Sequence, residues 1–246
     1  MLMYSSHPKL KEPLPDASLW RYMDFAKFIE ILETGTLFFP RLTSFLDPFE
    51  GHPPRMVVEA FRAIPTGLSE GEAAQRRAVA ANNSKLFRNS RQLVCASCWH
   101  ANDTESAAMW NLYLKSGEGI AIRTTFGRLV NSFSESGPNI SGGMVQYVDY
   151  ETFEPNDVNI LVWAVLKRLS FIHENEFRLL ILGDTGTPDG ISAPVNVDSL
   201  IEHVYVSPTA PDWTVRLLES LMRRYSLSKP IVRSGLNTAP GYYGEA

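Results

Sequence analysis

A chain of 246 residues with 44% hydrophobic and 20% charged side chains has the make-up of an ordinary globular protein and enough length for a sizeable core. Its net charge of −4 gives no bulk attraction to nucleic acid, and no run approaches the roughly 18 apolar residues of a membrane span. The start, MLMYSSHPKLKEPLPD, lacks the basic end and apolar run of a secretory signal, so the expectation is a cytoplasmic protein with no membrane partner.

In chain order, residues 1–18 are rich in proline and polar side chains and are expected to form a loose arm. LWRY (19–22) reads as a strand. DFAKFIEILETG (24–35) places Phe25, Phe28, Ile29 and Leu32 at helical spacing, with Gly35 as the stop. TLFFPRL (36–42) is a second strand, and FLDPFEGHPP (45–54) is all turn. Residues 56–90 are helical, broken near Pro65–Gly67, and polar enough to be a solvated insertion. QLVCASC (92–98) is a strand. A helix over ESAAMWNLYLK (105–115) takes Asp103 or Thr104 as its cap. Then come a strand at GIAIRT (119–124), a short helix near 126–135, a loop at SESGPNISGG (134–143) and a strand at MVQYVDY (144–150). A helix over 156–169 leads into a strand at FIHENEFRLLIL (171–182), and DTGTPDG (184–190) is a loop. IEHVYVS (201–207) is a strand, 211–225 a helix, and KPIVRSGL (229–236) closes the fold as a strand. Residues 237–246 form a flexible tail. The irregular alternation, without repeated βαβ units, predicts an α+β fold: one domain over 19–236 with a central mixed or mostly antiparallel sheet and flanking helices.

Four groups of residues invite chemistry. In FIHENEFRLLIL, strand alternation puts Glu174, Glu176 and Arg178 on one face. Adjacent carboxylates repel and raise each other's pKa, which fits either a solvated edge or the wall of a cleft. Arg21 sits inside the apolar strand LWRY, where it pairs with a glutamate or grips a phosphate. Asp47, Glu50 and His52 share a turn, an Asx-type start with no recognised metal spacing. Trp110 and Tyr113 lie three apart on one helix, near Ser97 at the end of its strand. Cys95 and Cys98 form a CxxC with only His100 nearby. The strand sends them to opposite faces, so they read as small buried residues rather than a zinc or redox pair. No glycine-rich nucleotide fingerprint and no GxSxG is present.

Taken together, LWRY, LDPFEG, CASCWH, MWNLY and KRLSFIHENEFR resemble, in order, the motifs of a bacterial family, domain-of-unknown-function family 2971. The resemblance spans residues 19–182, with IVRSGL similar near the end. Leu46 stands where the family has asparagine, Trp20 replaces tyrosine, and Phe171 replaces tryptophan. The same order resembles the arginine–serine–glutamate layout of ADP-ribosyltransferases. That resemblance implies an ADP-ribosyltransferase-like fold and transfer of ADP-ribose from NAD to a protein or nucleic-acid acceptor. It also implies a toxin or phage-defence effector with a neutralising partner protein. It assigns Arg21 to a phosphate of NAD, Ser97 to bracing the site, Glu176 to the nicotinamide ribose and Glu174 to the acceptor. Trp110, Tyr113 or Phe49 would stack on a ring. Two other readings use the same residues. One is a metal-dependent nuclease built from Asp47, Glu50, Glu174 and Glu176. The other is a binding module with a structural network of Arg21, Glu174, Glu176 and Arg178, whose partner meets the basic helix Arg76–Arg88.

Overall fold

Alternating side chains extend the chain, and apolar side chains at helical spacing coil it. The computed structural model describes residues 4–113, 117–155, 159–183 and 189–239. Its strands are β1 (Ser18–Asp24), β2 (Thr36–Pro40), β3 (Val94–Ala101), β4 (Gly119–Thr125), β5 (Ser141–Met144), β6 (Gln146–Val148), β7 (Leu166–Arg168), β8 (Glu176–Leu182), β9 (Gly190–Pro194), β10 (His203–Val206) and β11 (Ile231–Arg233). Its helices are α1 (Phe25–Thr34), α2 (Arg55–Arg62), α3 (Glu70–Asn89), α4 (Ala107–Tyr113), α5 (Phe126–Asn131), α6 (Ile160–Ala164), α7 (Val197–Leu200) and α8 (Asp212–Arg224). Seven strands form the main sheet, in the order β11–β10–β4–β1–β3–β8–β5. Only β10 and β11 run parallel within it. β2 pairs with β9 antiparallel, and β6 with β7 parallel. The fold is therefore α+β with a mixed, mostly antiparallel sheet, as the pattern predicted.

The larger core lies on one face of this sheet, where Leu19, Met23, Trp99, Ile122, Phe177 and Leu179 meet Phe28 and Leu32 of α1 and Leu218 of α8. Each such side chain contributes roughly 1.5–3 kcal/mol by leaving water. α1 is bounded as its sequence dictates. The Asp24 side chain accepts from Lys27 N at 2.9 Å, and Gly35 ends the helix in the left-handed region at φ 61°.

One feature of the sheet positions the site. β1 pairs with β4 along its whole length, from Ser18↔Thr125 to Asp24↔Gly119. With β3 it pairs only at Leu19↔Ala101 and Trp20↔His100. The ladder stops there, so Arg21–Asp24 and Val94–Trp99 are not joined, and the sheet is open between its two central strands.

Several sequence expectations are corrected. Phe171–Glu174 is not strand: Leu169–Glu174 is a 3-10 helix, Asn175 takes a left-handed conformation at φ 36°, and β8 begins only at Glu176. Ile172 is consequently exposed. Of the helix expected over 156–169, residues 156–158 lie outside the described residues and the rest holds only α6, because Leu166–Arg168 pairs with β6 instead. MVQYVDY breaks at Val145, leaving Met144 in β5 and Gln146–Val148 in β6, and β5 takes in part of the expected loop. α4 starts after Ser106, whose hydroxyl accepts from Met109 N at 3.3 Å, rather than after Asp103 or Thr104. Residues 56–90 divide into α2 and α3, with Ser69 and Glu72 forming a capping box. The N-terminal segment, expected as a loose arm, bridges Tyr4 to Ile140 and buries Leu10 in a small core with Leu42 and Leu180. Most of the DTGTPDG loop and the last residues of the tail lie outside the described residues. Among the described residues no helix is long and apolar enough to cross a membrane.

Candidate functional site

The bend at Asn175 decides what the two glutamates do. A continuous strand would have aligned them on one face by alternation. Instead Glu174 ends a helical turn and Glu176 starts β8, yet both reach the same cation. Lys167 Nζ lies 2.7 Å from Glu174 Oε2 and 3.1 Å from Glu176 Oε1. Glu50 of the turn is the third carboxylate, with Oε1 at 3.6 Å from Nζ. Arg178, wholly buried, completes the cluster. Its Nε donates to Glu176 Oε2 at 2.7 Å, its Nη1 to Ala164 O at 2.9 Å, and its Nη2 also bonds Glu50. Such desolvated charges persist only when every one is paired.

Three carboxylates face two cations, so one carboxylate is in excess. That one is Glu174. Burial, then its hydrogen bond to Glu176 and the neighbouring charge, push Glu174 up to about 7. Burial would move Glu176 the same way, but Arg178, Glu174 and Lys167 outweigh it and hold its carboxyl down, to about 2. Burial works against the Lys167 ammonium too, yet Glu176 and Glu50 keep it protonated.

A pH effect follows with a definite sign. A carboxyl whose folded pKa is raised stabilises the fold below its unfolded value and loses that contribution as pH rises through about 7. Glu174→Gln removes the titrating group. Urea denaturation at pH 5 and pH 8 should therefore show the variant gaining on the wild type with rising pH, by on the order of 2 kcal/mol. Parallel stabilities at the two pH values would contradict the raised pKa.

A cleft of about 780 Å³ opens where β1 and β3 part. Its lining includes Glu174, Glu176, Lys167 and Phe171, and also Arg21, Met23 and Phe38. Trp99, Cys98 and His100 of β3 line it as well. Arg21 Nη1 donates to Ser97 Oγ, Nη2 donates to Phe38 O at 3.3 Å, and the guanidinium lies 5.6 Å from the Trp99 ring centroid. Among the described residues no carboxylate pairs with Arg21. Burial therefore lowers its pKa, against a smaller opposing effect of Cys98 and Tyr113.

The structure separates the expected site residues into two sets. Arg21, Glu174, Glu176 and Tyr113 line one cleft, as do Asp47 and Glu50. Ser97 is fully buried beneath Arg21 and also accepts from Trp99 Nε1 at 3.2 Å, so it orients the arginine without facing the cleft. Trp110 does not line the cleft: it packs edge-on against Tyr22 and donates to Glu105 at 2.9 Å. Asp47 is held by Arg168 at 3.0 Å and accepts from Phe49 N at 3.1 Å. His52 turns away to Phe87 O, so Asp47, Glu50 and His52 form no triad. Phe49 packs on Tyr150 and under Arg168. Burial pushes the Cys98 thiol up to about 12, which removes thiolate chemistry at neutral pH. The nuclease constellation fails for a geometric reason: Lys167 Nζ occupies the point where Glu50, Glu174 and Glu176 converge. Among the described residues no group of acidic, histidine or cysteine side chains is arranged to hold a metal ion.

Lys167 and His100 are the site residues that sequence reasoning gave no role in the cleft. Lys167 was legible only as the lysine opening KRLSFIHENEFR.

No protein-family model matches the chain, and no curated protein does, so the family resemblance rests on its motifs alone. Among solved structures the chain is similar to Thermus sp. 2.9 DarT in complex with NAD+, at 9% identity and a TM-score of 0.42 over 91% of this chain and 98% of that one. It is also similar to Thermus sp. 2.9 DarT in complex with ADP-ribosylated ssDNA, at 9% identity and a TM-score of 0.41 over 92% and 97%.

Proposed function

We propose that the protein binds NAD in this cleft, cleaves its glycosidic bond and passes ADP-ribose to an acceptor. The observation that carries the reading is Arg21. It is a half-buried guanidinium with no carboxylate partner among the described residues, lining the same cleft as a carboxylate pair in which one member is held ionised. A planar cation with no carboxylate beside it and donor hydrogens beyond those given to Ser97 and Phe38 suits a phosphate. A fixed carboxylate in the same cleft suits a sugar on which positive charge develops.

The reaction breaks the bond between the ribose carbon and the ring nitrogen, and the electron pair leaves with nicotinamide. Glu176, held ionised by Arg178 and Lys167, stabilises the charge that builds on the ribose. The acceptor's oxygen or nitrogen forms the new bond and gives up a proton. Glu174, with its pKa near neutrality, is suited to take that proton. Ser97 fixes the rotamer of Arg21 from below.

The test is NAD binding by calorimetry and nicotinamide release by purified protein. Arg21→Ala should weaken NAD binding roughly 10- to 100-fold, the range for a hydrogen bond to a charged group. It should leave the melting temperature unchanged or higher, since it removes an unpaired desolvated charge. A wild-type protein that binds no NAD at millimolar concentration defeats the reading.

A second reading has its own observation. Both oxygens of Glu176 are already engaged, one by Lys167 and one by Arg178, as a structural ion network requires. On that reading the protein is a binding module, and alanine at Glu176 lowers stability without abolishing any turnover.

A further inference from the structure

His100 lies in β3 directly opposite Glu176, and residues opposite one another on adjacent strands share a face. Its side chain lines the cleft but is only 5% exposed. Nδ1 lies 2.6 Å from the Glu174 carbonyl oxygen. A carbonyl oxygen can only accept, so Nδ1 carries the proton. Nε2 of the neutral ring is then a bare acceptor, and among the described residues it has no hydrogen-bond partner. Burial lowers the imidazole pKa, which keeps the ring neutral at physiological pH. Buried polar atoms are nearly always satisfied; Nε2 is itself buried, in a residue that lines the cleft, and a ligand donor reaching it would satisfy it.

We infer that His100 is a recognition residue of the cleft: its Nε2 accepts a hydrogen bond from the nicotinamide riboside half of NAD, from a ribose hydroxyl or the carboxamide N–H. The inference rests on the NAD reading above, because Glu176, its cross-strand neighbour, is the residue that reading assigns to the same ribose. Glu176 and His100 then present two acceptors side by side, a carboxylate and an imidazole, to a ligand rich in donors.

The imidazole also supports the bend at Glu174, so the useful variant keeps that support. In His100→Asn the side-chain amide can still donate where Nδ1 did, but nothing replaces Nε2. His100→Gln carries an amide oxygen that reaches toward the Nε2 position. The full chain is titrated with NAD and with ADP-ribose, and the histidine ring nitrogens are followed by long-range proton–nitrogen correlation. The unliganded wild type should show the Nδ1–H tautomer, with the Nε2 resonance moving on NAD addition while Nδ1 holds. His100→Asn should bind NAD roughly tenfold more weakly, the size of one hydrogen bond, and His100→Gln should recover part of the loss. A loss seen with both ligands makes the donor a ribose hydroxyl. A loss seen only with NAD makes it the carboxamide. If the wild type binds NAD but Nε2 does not move, or His100→Asn binds as tightly, the inference falls and the NAD reading stands. If the wild type binds no NAD, both fall.

Discussion

Lys167→Met should destabilise the protein by about 3–5 kcal/mol at pH 7.5, the range for breaking a buried ion pair from one side. Nζ is the shared partner of Glu50, Glu174 and Glu176, and the lysine side chain is only 6% exposed. Methionine fills a similar volume and keeps an apolar stem near the Phe171 ring, over which Nζ now lies at 4.9 Å. The loss therefore reports charge rather than a cavity. Without the ammonium, three carboxylates face Arg178 alone. The deficit should shrink as pH falls and Glu174 takes up its proton. In a double-mutant cycle by urea denaturation, adding Glu174→Gln to Lys167→Met should recover part of the stability, because it removes one of the orphaned charges. A Lys167→Met protein as stable as the wild type at pH 7.5 would show that the cluster is looser or wetter than its geometry implies.

The same cluster shows what could be read from the sequence and what could not. β1, β3, β4 and β10 are legible as short, mostly apolar runs, three of them buried on both faces and only β10 alternating. α1 and α8 were legible from apolar spacing and their stops. Lys167 was not, because β6 and β7 have three residues each, too few for a period, and the apolar run ILVWAVL before it begins as the helix α6 and gives no sign of where the helix stops. The two glutamates were picked out by a strand pattern that is half wrong. Asn175 breaks the strand between them, and Lys167, a few residues earlier on a separate short strand, brings them back together. Arg21 stands out in the sequence as a cation inside an apolar strand. What its sequence could not tell was whether a carboxylate met it, since that depends on where β1 and β3 part. Trp110 and Tyr113 were paired by helical spacing, but a helix packed on a sheet turns one of them inward, and here it is Trp110.

Glu176→Asp should leave NAD affinity within a few-fold of the wild type and reduce nicotinamide release by roughly 10²–10³, the scale seen when one preorganised electrostatic contact is withdrawn from a developing charge. Aspartate is the informative change because it keeps the negative charge that Lys167 and Arg178 require, so the cluster stays balanced. Glu176→Gln would be less clean: its amide N–H₂ must face either the ammonium of Lys167 or the guanidinium of Arg178, donor against donor. Shortening the side chain by one methylene draws the carboxylate back from the cleft while the strand backbone holds still, since Glu176 N is anchored by the Tyr147 hydroxyl at 2.9 Å. The loss should appear in kcat rather than in KM, because a contact that strengthens as charge builds on the ribose belongs to the transition state. Circular dichroism and urea midpoints on the same samples separate loss of rate from loss of fold. A folded Glu176→Asp protein that releases nicotinamide at the wild-type rate would assign this glutamate to the structural ion network and leave Glu174 as the carboxylate facing the ligand.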